Sequence, residues 1–173
     1  MIRKSKKEDI IKVVAIYDKI LAIEPLKKMI GWEKNVYPVA ETANTALDGD
    51  ELFVMEENSE VVASAIINHI QMEEYSNCKW QYAADDNEVM VLHTLVVDPE
   101  KSRNGYASKI ISFYEAYAKK NACKYLRLDT SETNVNARKL YKKLGYHEVG
   151  VIACEFNGIG CVNLVCLEKK LDF

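Results

Sequence analysis

The fold of this chain is decided by residues 89–109, which read Val89-Met-Val-Leu-His-Thr-Leu-Val-Val-Asp-Pro-Glu-Lys-Ser-Arg-Asn-Gly-Tyr-Ala-Ser-Lys109. An apolar run typical of a buried strand ends at Asp98-Pro99, and a short polar loop then leads into an amphipathic helical pattern. The small residues Gly105 and Ala107 leave the backbone of this loop accessible. Because the first N–H groups of a helix have no partner within it and lie at the positive end of its dipole, the loop predicts a diphosphate-binding site.

The composition is that of a globular protein and limits the possible functions. The chain has 173 residues, 49% of them hydrophobic and 28% charged, with a net charge of −3. This is enough for one core, and we expect a single domain over residues 1–173. The negative charge and the scattered basic residues argue against nucleic acid as a partner. No apolar run approaches the length of a membrane span, so no membrane association is expected.

The cysteines indicate a reducing compartment. There are five of them, an odd number, and no two form a C-x-x-C pair. Cys154, Cys161 and Cys166 lie in apolar, strand-like sequence. This usage predicts reduced thiols with no disulfide and no metal site. Because the chain also opens without a secretory pattern, we expect a cytoplasmic location.

The first half of the chain predicts two helices and three strands. Ile2-Arg-Lys reads as a short strand, Ser5 and Glu8 as a capping box, and residues 10–21 as an amphipathic helix that Pro25 ends. Further elements are predicted between residues 40 and 87. They are a helix from Ala40 to Leu47, antiparallel strands over 51–56 and 61–70, and a polar, irregular segment over 71–87.

The second half alternates strands and helices. We predict a strand over 88–97, a helix over about 104–121, a strand over 124–129 and a helix over 134–144. Asn157-Gly158 predicts a closing hairpin. Strands joined by a helix crossover run parallel, whereas hairpin strands are antiparallel. The prediction is therefore an α/β fold with a mixed sheet of about seven strands and about four helices, in the order β-α-α-β-β-β-α-β-α-β-β.

Two motifs follow one another in this order of elements. The first is the strand end Leu95-Val96-Val97-Asp98-Pro99 followed by the loop Ser102-Arg103-Asn104-Gly105-Tyr106-Ala107. The second is the spaced set Asn134, Ala137, Leu140, Tyr141, Gly145 and Tyr146. Together the two motifs resemble those of the GNAT superfamily of acyl-CoA-dependent N-acyltransferases. The one departure is Ser102, where the family usually has Gln or Arg; Arg103 stands next to it. The resemblance covers residues 88–150 well and the remainder only through the order of elements.

The resemblance implies a GNAT-like fold and acetyl-CoA as co-substrate for N-acetylation of a primary amine, by direct attack in a ternary complex. In the family, the end of the central strand hydrogen-bonds the pantetheine, and the loop binds the diphosphate. The cofactor-binding residues implied here are Leu95, Val96, Val97, Ser102, Arg103, Asn104, Gly105, Tyr106, Ala107, Ser108, Asn134 and Tyr141. Asn134 is also placed to cap the helix that it precedes.

Two residues are implied to be catalytic. Tyr141 matches the family tyrosine that protonates or hydrogen-bonds the departing CoA thiolate, although its position in an apolar helical stripe also suits a core residue. His93 lies in the central strand, where some family members use histidines in a water-linked path for the proton of the amine. Packing of a hydrogen-bonded histidine within the sheet is an equal alternative. Glu88, at the start of the strand, is the second candidate for the base.

The residues that would select the acceptor amine lie in the least patterned parts of the sequence. Acidic residues around Trp80 and Tyr82 suggest either the entrance of an acceptor site that attracts a cationic amine or merely a charged loop. Trp32, Tyr37 and Pro38 are candidates for the opposite wall of that site. The acceptor is left open between a small-molecule and a peptide amine. A non-catalytic acyl-CoA sensor and an interaction domain are the alternative functions. A homodimer formed through the C-terminal hairpin is also left open.

Overall fold

The computed structural model describes residues 1–156 and 158–172, apart from the side chain of Phe156, and contains a seven-stranded mixed sheet in the order β1-β2-β3-β4-β5-β7-β6. The strands are β1 (Ile2–Lys4), β2 (Leu52–Glu57), β3 (Glu60–Asn68), β4 (Val89–Val97), β5 (Tyr125–Ser131), β6 (His147–Phe156) and β7 (Ile159–Lys170). The α-helices are α1 (Ile10–Leu21), α2 (Glu24–Ile30), α3 (Ala40–Asp48), α4 (Tyr106–Lys120) and α5 (Val135–Lys143). The predicted α/β fold with a mixed sheet of seven strands is confirmed.

The helix α2 was not predicted, so the expected count of four helices is corrected to five within the described residues. The helix α1 ends at Leu21, and Pro25 lies in the first turn of α2 rather than ending α1. A proline is tolerated in a first turn because the N–H that it lacks would have no helical partner there.

The predicted capping box of Ser5 and Glu8 is also wrong, by one residue. The carboxylate that accepts the backbone N–H of Lys6 belongs to Asp9, at 2.9 Å. Asp9 is buried and forms an ion pair with Arg3 at 2.6 Å. This pairing across the first turn favours Asp9 over the exposed Glu8.

The helices cover the sheet on both faces. The helix α4 packs over Met90, Leu92 and Leu126 through an apolar stripe that includes Ile110, Ile111 and Tyr114. On the opposite face, α1 and α3 pack over Leu52, Val54 and Val96. The hydroxyl of Tyr114 donates to the carbonyl oxygen of Met90 at 2.6 Å and so ties α4 to β4. Burial of these stripes is what holds the helices in place.

The strands β4 and β5 are parallel, as predicted, but separate partway along. Their pairing runs from Val89 opposite Tyr125 to Leu92 opposite Leu128 and then stops. The strand β4 continues to Val97, still paired with β3, while β5 continues to Ser131, still paired with β7. A gap therefore opens within the sheet, and backbone groups of β4 beyond residue 92 have no neighbouring strand on the β5 side.

A β-bulge lies on β4 at this gap. Ser64 pairs with Val96 and Ile66 with His93, so β4 has one more residue than β3 over this interval. Thr94 adopts a φ of 47°, an uncommon value for a β-branched residue. Because the bulge interrupts the alternation of side chains along β4, residues 91, 93, 95 and 97 do not share one face. Leu95 and Val97 pack on the α4 side, whereas Val91 packs on the other.

The final hairpin is confirmed by the antiparallel pairing of β6 with β7, and Asn157 of its predicted turn lies outside the described residues. The irregular segment 71–87 contains a short 3-10 helix over Glu73–Asn77 and packs on the sheet through Tyr75 and Trp80. None of the helices within the described ranges combines the length and apolar character needed to cross a membrane.

Candidate active site

A cavity of about 1030 Å³ opens where β4 and β5 separate. One wall is formed by the end of β4, the first turn of α4 and the buried face of α5, where the cofactor is expected; it is called the cofactor side. The other wall is formed by α2, residues 32–39, α3 and the residues after β3, and is called the acceptor side. These elements come together only because the sheet splits, since a continuous sheet would fill this space with backbone.

The loop before α4 has the form of an anion site. Gly105 is the N-cap residue, with a φ of 73°, and no side chain of the described residues caps the helix. The first hydrogen bond into α4 runs from the N–H of Lys109 to the carbonyl oxygen of Gly105 at 3.1 Å. The N–H groups of Tyr106, Ala107 and Ser108 therefore precede the helical ladder. They are suited to bind a diphosphate.

The remaining predicted loop residues differ in their placement. Ser102, Arg103 and Asn104 are exposed, and Arg103 adopts a left-handed conformation with a φ of 68°. Asn104 donates to the carbonyl oxygen of Lys101 at 3.0 Å, which closes the loop. The structure thus places these three side chains at the rim of the loop.

Three residues at the end of β4 were predicted to contact the pantetheine. Leu95 and Val97 line the cavity, and Val96 packs into the core beneath α1 and α3. The backbone of this segment borders the gap left by β5. It can therefore offer hydrogen bonds to the amides of a pantetheine without breaking any strand pairing.

Substitution of Gly105 by Val is expected to weaken acetyl-CoA binding by about 10- to 100-fold. A Cβ at this position would meet no protein atom within 4 Å, so it would extend into the open space in front of the loop. It would also strain a backbone with a φ of 73°. Calorimetric titration with acetyl-CoA measures this effect.

The matched control for this substitution is Gly145→Val. Gly145 has a φ of 85° and follows α5, outside the cavity wall. The control should reproduce the loss of stability, about 1–2 kcal/mol, without the loss of affinity. Equal affinities of the two variants for acetyl-CoA would contradict the assignment of the loop.

The predicted cap at Asn134 is confirmed. Its Oδ1 accepts the N–H of Ala137 at 3.2 Å, and its Nδ2 donates to Thr130 at 3.1 Å. Asn134 also lines the cavity. Its predicted contact with the cofactor stays a prediction.

Tyr141 lines the cavity on α5. Its ring packs edge-on against Tyr146, with centroids 5.9 Å apart, and the residue is 6% exposed. None of the hydrogen bonds within the described part of the chain involves its hydroxyl. Burial raises the pKa of Tyr141 above that of a free phenol, and the negative charge of Asp129 adds to the effect. A protonated phenol is therefore available to a group in the cavity.

His93 lines the same cavity on its acceptor side. Its Nε2 lies 3.0 Å from both Asn68 Oδ1 and the carbonyl oxygen of Ile70. Because both are acceptors, Nε2 carries the hydrogen and Nδ1 holds the lone pair. Burial lowers the pKa of His93 to about 4, so the imidazole is neutral at pH 7.

Asp129 is the residue that sequence reasoning missed. It lies on β5 just beyond the separation from β4 and lines the cavity. Tyr75 donates its hydroxyl to Asp129 Oδ2 at 2.7 Å. Burial raises the pKa of Asp129 to about 6, against the opposing effect of the Tyr75 hydrogen bond. The available signal was a carboxylate at the predicted end of the strand, directly after its apolar run.

The family assignment follows from a comparison with known proteins. A model of the acetyltransferase (GNAT) family matches residues 16–146. The chain belongs to this family. The match includes the gap between the strands, the loop before α4 and all of α5.

The chain is also similar to individual known proteins. An uncharacterised N-acetyltransferase of Methanocaldococcus jannaschii is 29% identical over 105 residues, which are 61% of this chain and 42% of that protein. The chain thus spans less than half of this curated relative. A GNAT acetyltransferase of Streptococcus agalactiae is similar in fold, with a TM-score of 0.82, 17% identity and coverage of 100% and 96% of the two chains.

A second structural relative of this GNAT member is yncA of Salmonella typhimurium, solved with its cofactor acetyl-CoA. It has a TM-score of 0.70 and 14% identity, and the alignment covers 100% of this chain and 94% of that one. At these identities the likeness concerns the fold.

The acceptor side departs in part from the sequence expectation. Trp32 and Tyr37 line the cavity, as suggested, whereas Pro38 does not. Trp80 and Tyr82 lie outside the cavity wall, where Trp80 packs on Tyr75. Of the acids suggested for a mouth, none lines the cavity among the described residues. Glu88, the second candidate for the base, is also outside and is paired with Lys124 at 2.6 Å.

Proposed function

We propose that this protein transfers the acetyl group of acetyl-CoA to a primary amine by direct attack in a ternary complex. The observation that carries the proposal is the continuity of one cavity from the first turn of α4 to Asp129 and Tyr141. Attack of the amine on the thioester carbonyl of acetyl-CoA forms the new C–N bond, and collapse of the resulting oxyanion then breaks the C–S bond and releases the CoA thiolate. Holding the amine and the thioester in one cavity supplies much of the rate.

The acetyl-CoA would be held by backbone groups. The N–H groups at the start of α4 would bind the diphosphate, and the end of β4, which borders the gap left by β5, would bind the pantetheine. A backbone N–H near Val96 or Val97 would polarise the thioester carbonyl and stabilise the oxyanion. The side chains of Ser102 and Arg103, at the rim, would add to the phosphate contacts.

Asp129 and His93 are the two groups suited to take the proton of the amine. A base is most effective when its pKa lies near the operating pH, which favours Asp129 at about 6 over His93 at about 4. His93 remains the candidate given by the sequence, since its Nδ1 keeps a lone pair. We assign to Asp129 the role of accepting the proton of the amine, directly or through a water. We therefore expect His93→Gln to reduce turnover less than Asp129→Asn does.

Tyr141→Phe is expected to lower kcat by about 10- to 100-fold, with little change in the affinity for acetyl-CoA. The hydroxyl would donate its proton to the departing sulfur and recover it from solvent. The expected loss is moderate because a thiol, with a pKa near 8.5, can also leave as the thiolate. Release of free thiol measures kcat, and calorimetry measures affinity. A fully active variant would remove Tyr141 from the mechanism.

The test of the proposal combines binding with turnover. Acetyl-CoA binding by calorimetry and free thiol released with a panel of primary amines are both expected. Binding without release with any amine would favour the acyl-CoA sensor. Absence of binding would favour an interaction domain that has lost the cofactor.

A further inference from the structure

We infer that the acceptor is a primary amine whose remainder is apolar and carries no anionic group, that is, an alkylamine or arylalkylamine rather than an amino acid. The inference rests on the acetyl transfer proposed above and names the substrate class of the same cavity. It follows from the polarity and the charge of the acceptor side.

The wall opposite α4 and α5 is largely apolar. The helix α2 contributes Leu26, Met29 and Ile30, and Trp32 and Tyr37 follow on the next segment. The two aromatic rings form an edge-to-face pair with centroids 5.8 Å apart. An alkyl or aryl group gains free energy by leaving water against such a wall.

The ionisable groups of the wall are acidic or neutral. The carboxylates are Glu41, Glu51 and Asp129, the imidazole is His93, and no lysine or arginine of the described residues lines the cavity. A substrate carboxylate would lose its water here without meeting a cation and would face charges of its own sign. An ammonium meets complementary charge at the same place.

The negative charge of Glu51 is fixed on the wall. Its Oε2 accepts from Asn68 Nδ2 at 2.8 Å. The Oδ1 of Asn68 accepts from the N–H of Ile70 at 2.9 Å and from His93 at 3.0 Å. Because both halves of the Asn68 amide are engaged, Glu51 is held at the cavity instead of turning to solvent.

Arg127 does not supply the missing cation, although it lies two residues before Asp129 on β5. Its guanidinium donates to Glu168 at 3.2 Å and to Gln71 at 2.6 Å. It also stands 4.3 Å from the centre of the Trp80 ring. A guanidinium with these partners is not available to a substrate carboxylate.

The experiment compares amines that differ by one charged group. Free thiol is followed with phenethylamine against phenylalanine and with hexylamine against 6-aminohexanoate. We expect kcat/KM to be at least about 100-fold higher for the amine without the carboxylate in each pair. Phenylalaninamide is the control for size, since it keeps an α-substituent but not the negative charge. Its kcat/KM should exceed that of phenylalanine.

A variant that adds a cation to the cavity wall tests directly whether the lack of one excludes anionic substrates. Ile70 lines the cavity and is 61% exposed, so an arginine can be placed there without burying its charge. Ile70→Arg should raise kcat/KM for 6-aminohexanoate relative to hexylamine by about 10-fold. The matched control Ile70→Gln should leave the ratio unchanged. The backbone carbonyl that His93 contacts is retained in both variants.

The outcomes separate this inference from the proposed function. The inference is overturned if kcat/KM within each amine pair is equal or is higher for the compound with the carboxylate. It is also overturned if Ile70→Arg leaves the ratio of kcat/KM for 6-aminohexanoate and hexylamine unchanged. Acetylation of an amino acid or peptide while the apolar amines are inert also overturns it, yet leaves acetyl transfer standing. Thiol release absent with every amine counts against both, and loss of acetyl-CoA binding removes the proposed function itself.

Discussion

Asp129→Asn is expected to lower kcat by about 10²- to 10⁴-fold while leaving the affinity for acetyl-CoA unchanged. The substitution keeps the shape of the side chain and an oxygen for the hydroxyl of Tyr75, which donates to Asp129 at 2.7 Å. It removes only the ability to accept the proton of the amine. Single-turnover release of thiol, with calorimetry for binding, separates the two effects.

The pH dependence gives an independent measurement. Asp129 has a pKa raised to about 6, so the fraction of active base grows as the pH rises through this value. The wild-type kcat should therefore rise through about pH 6, and the residual activity of Asp129→Asn should lack this limb. A limb that persists in the variant would assign the base to another group.

Tyr75→Phe is the matched control for this assignment. The hydroxyl of Tyr75 stabilises the ionised form of Asp129 and lowers its pKa against the effect of burial. Without it the pKa of Asp129 rises, and the limb should move to higher pH with the maximal kcat largely retained. A purely structural role of Asp129 would not predict such a movement.

Asp129→Asn should also stabilise the protein at neutral pH. The pKa of Asp129 is higher in the folded than in the unfolded chain, so the folded state holds the extra proton between about pH 4 and 6. Stability is therefore lost as the pH rises through this window. The Tm of the variant should exceed that of the wild type by a few degrees at pH 7.5, and the difference should vanish near pH 4.

Glu168→Ala is expected to destabilise the fold by about 3–5 kcal/mol, because it leaves the guanidinium of Arg127 buried without its counter-charge. The side chains of this pair are 6% and 1% exposed, with Nε and Oε1 3.2 Å apart. Glu168 also accepts the backbone N–H of Gln81 at 2.9 Å. A drop in Tm of about 10 °C is expected for a chain of this size.

The control is the exposed pair of Arg138 and Glu148. Arg138 Nε and Glu148 Oε1 are 2.7 Å apart, but the two side chains are 33% and 39% exposed. Glu148→Ala should cost less than about 1 kcal/mol, since solvent screens the pair. Equal losses in the two variants would show that burial does not control the effect.

The Glu168 substitution should also act on the active site. The pair holds segment 71–87 on the sheet, since Arg127 donates to the carbonyl oxygen of Tyr82 at 2.8 Å. The same segment carries Tyr75, which donates to Asp129. Limited proteolysis should cleave segment 71–87 of the variant first. The replacement of both Arg127 and Glu168 by apolar residues should recover part of the lost stability.

The sequence predicted the elements that its periodicity encodes. Residues 10–21 and 106–120 carry helical stripes, and the strands that they cover are runs of apolar residues, so local pattern and burial agree. It missed α2, because a proline in a first turn reads like a terminator. It also misplaced the cap at Ser5, because the tertiary partner Arg3 selects Asp9.

By itself, the sequence determined the family, the succession of strands along the chain and the loop before α4. These features depend on residues close together in the chain, through the hydrophobic period, the conformation of glycine and the unpaired N–H groups of a helix start. Only the tertiary structure decided which side chains meet in the cavity. The bulge at Thr94 moves Leu95 and Val97 to the face opposite that of Val91. The separation of β4 from β5 places Asp129 in the wall of the cavity, where its burial raises its pKa. Both effects arise from contacts between strands distant in sequence, which no local pattern records.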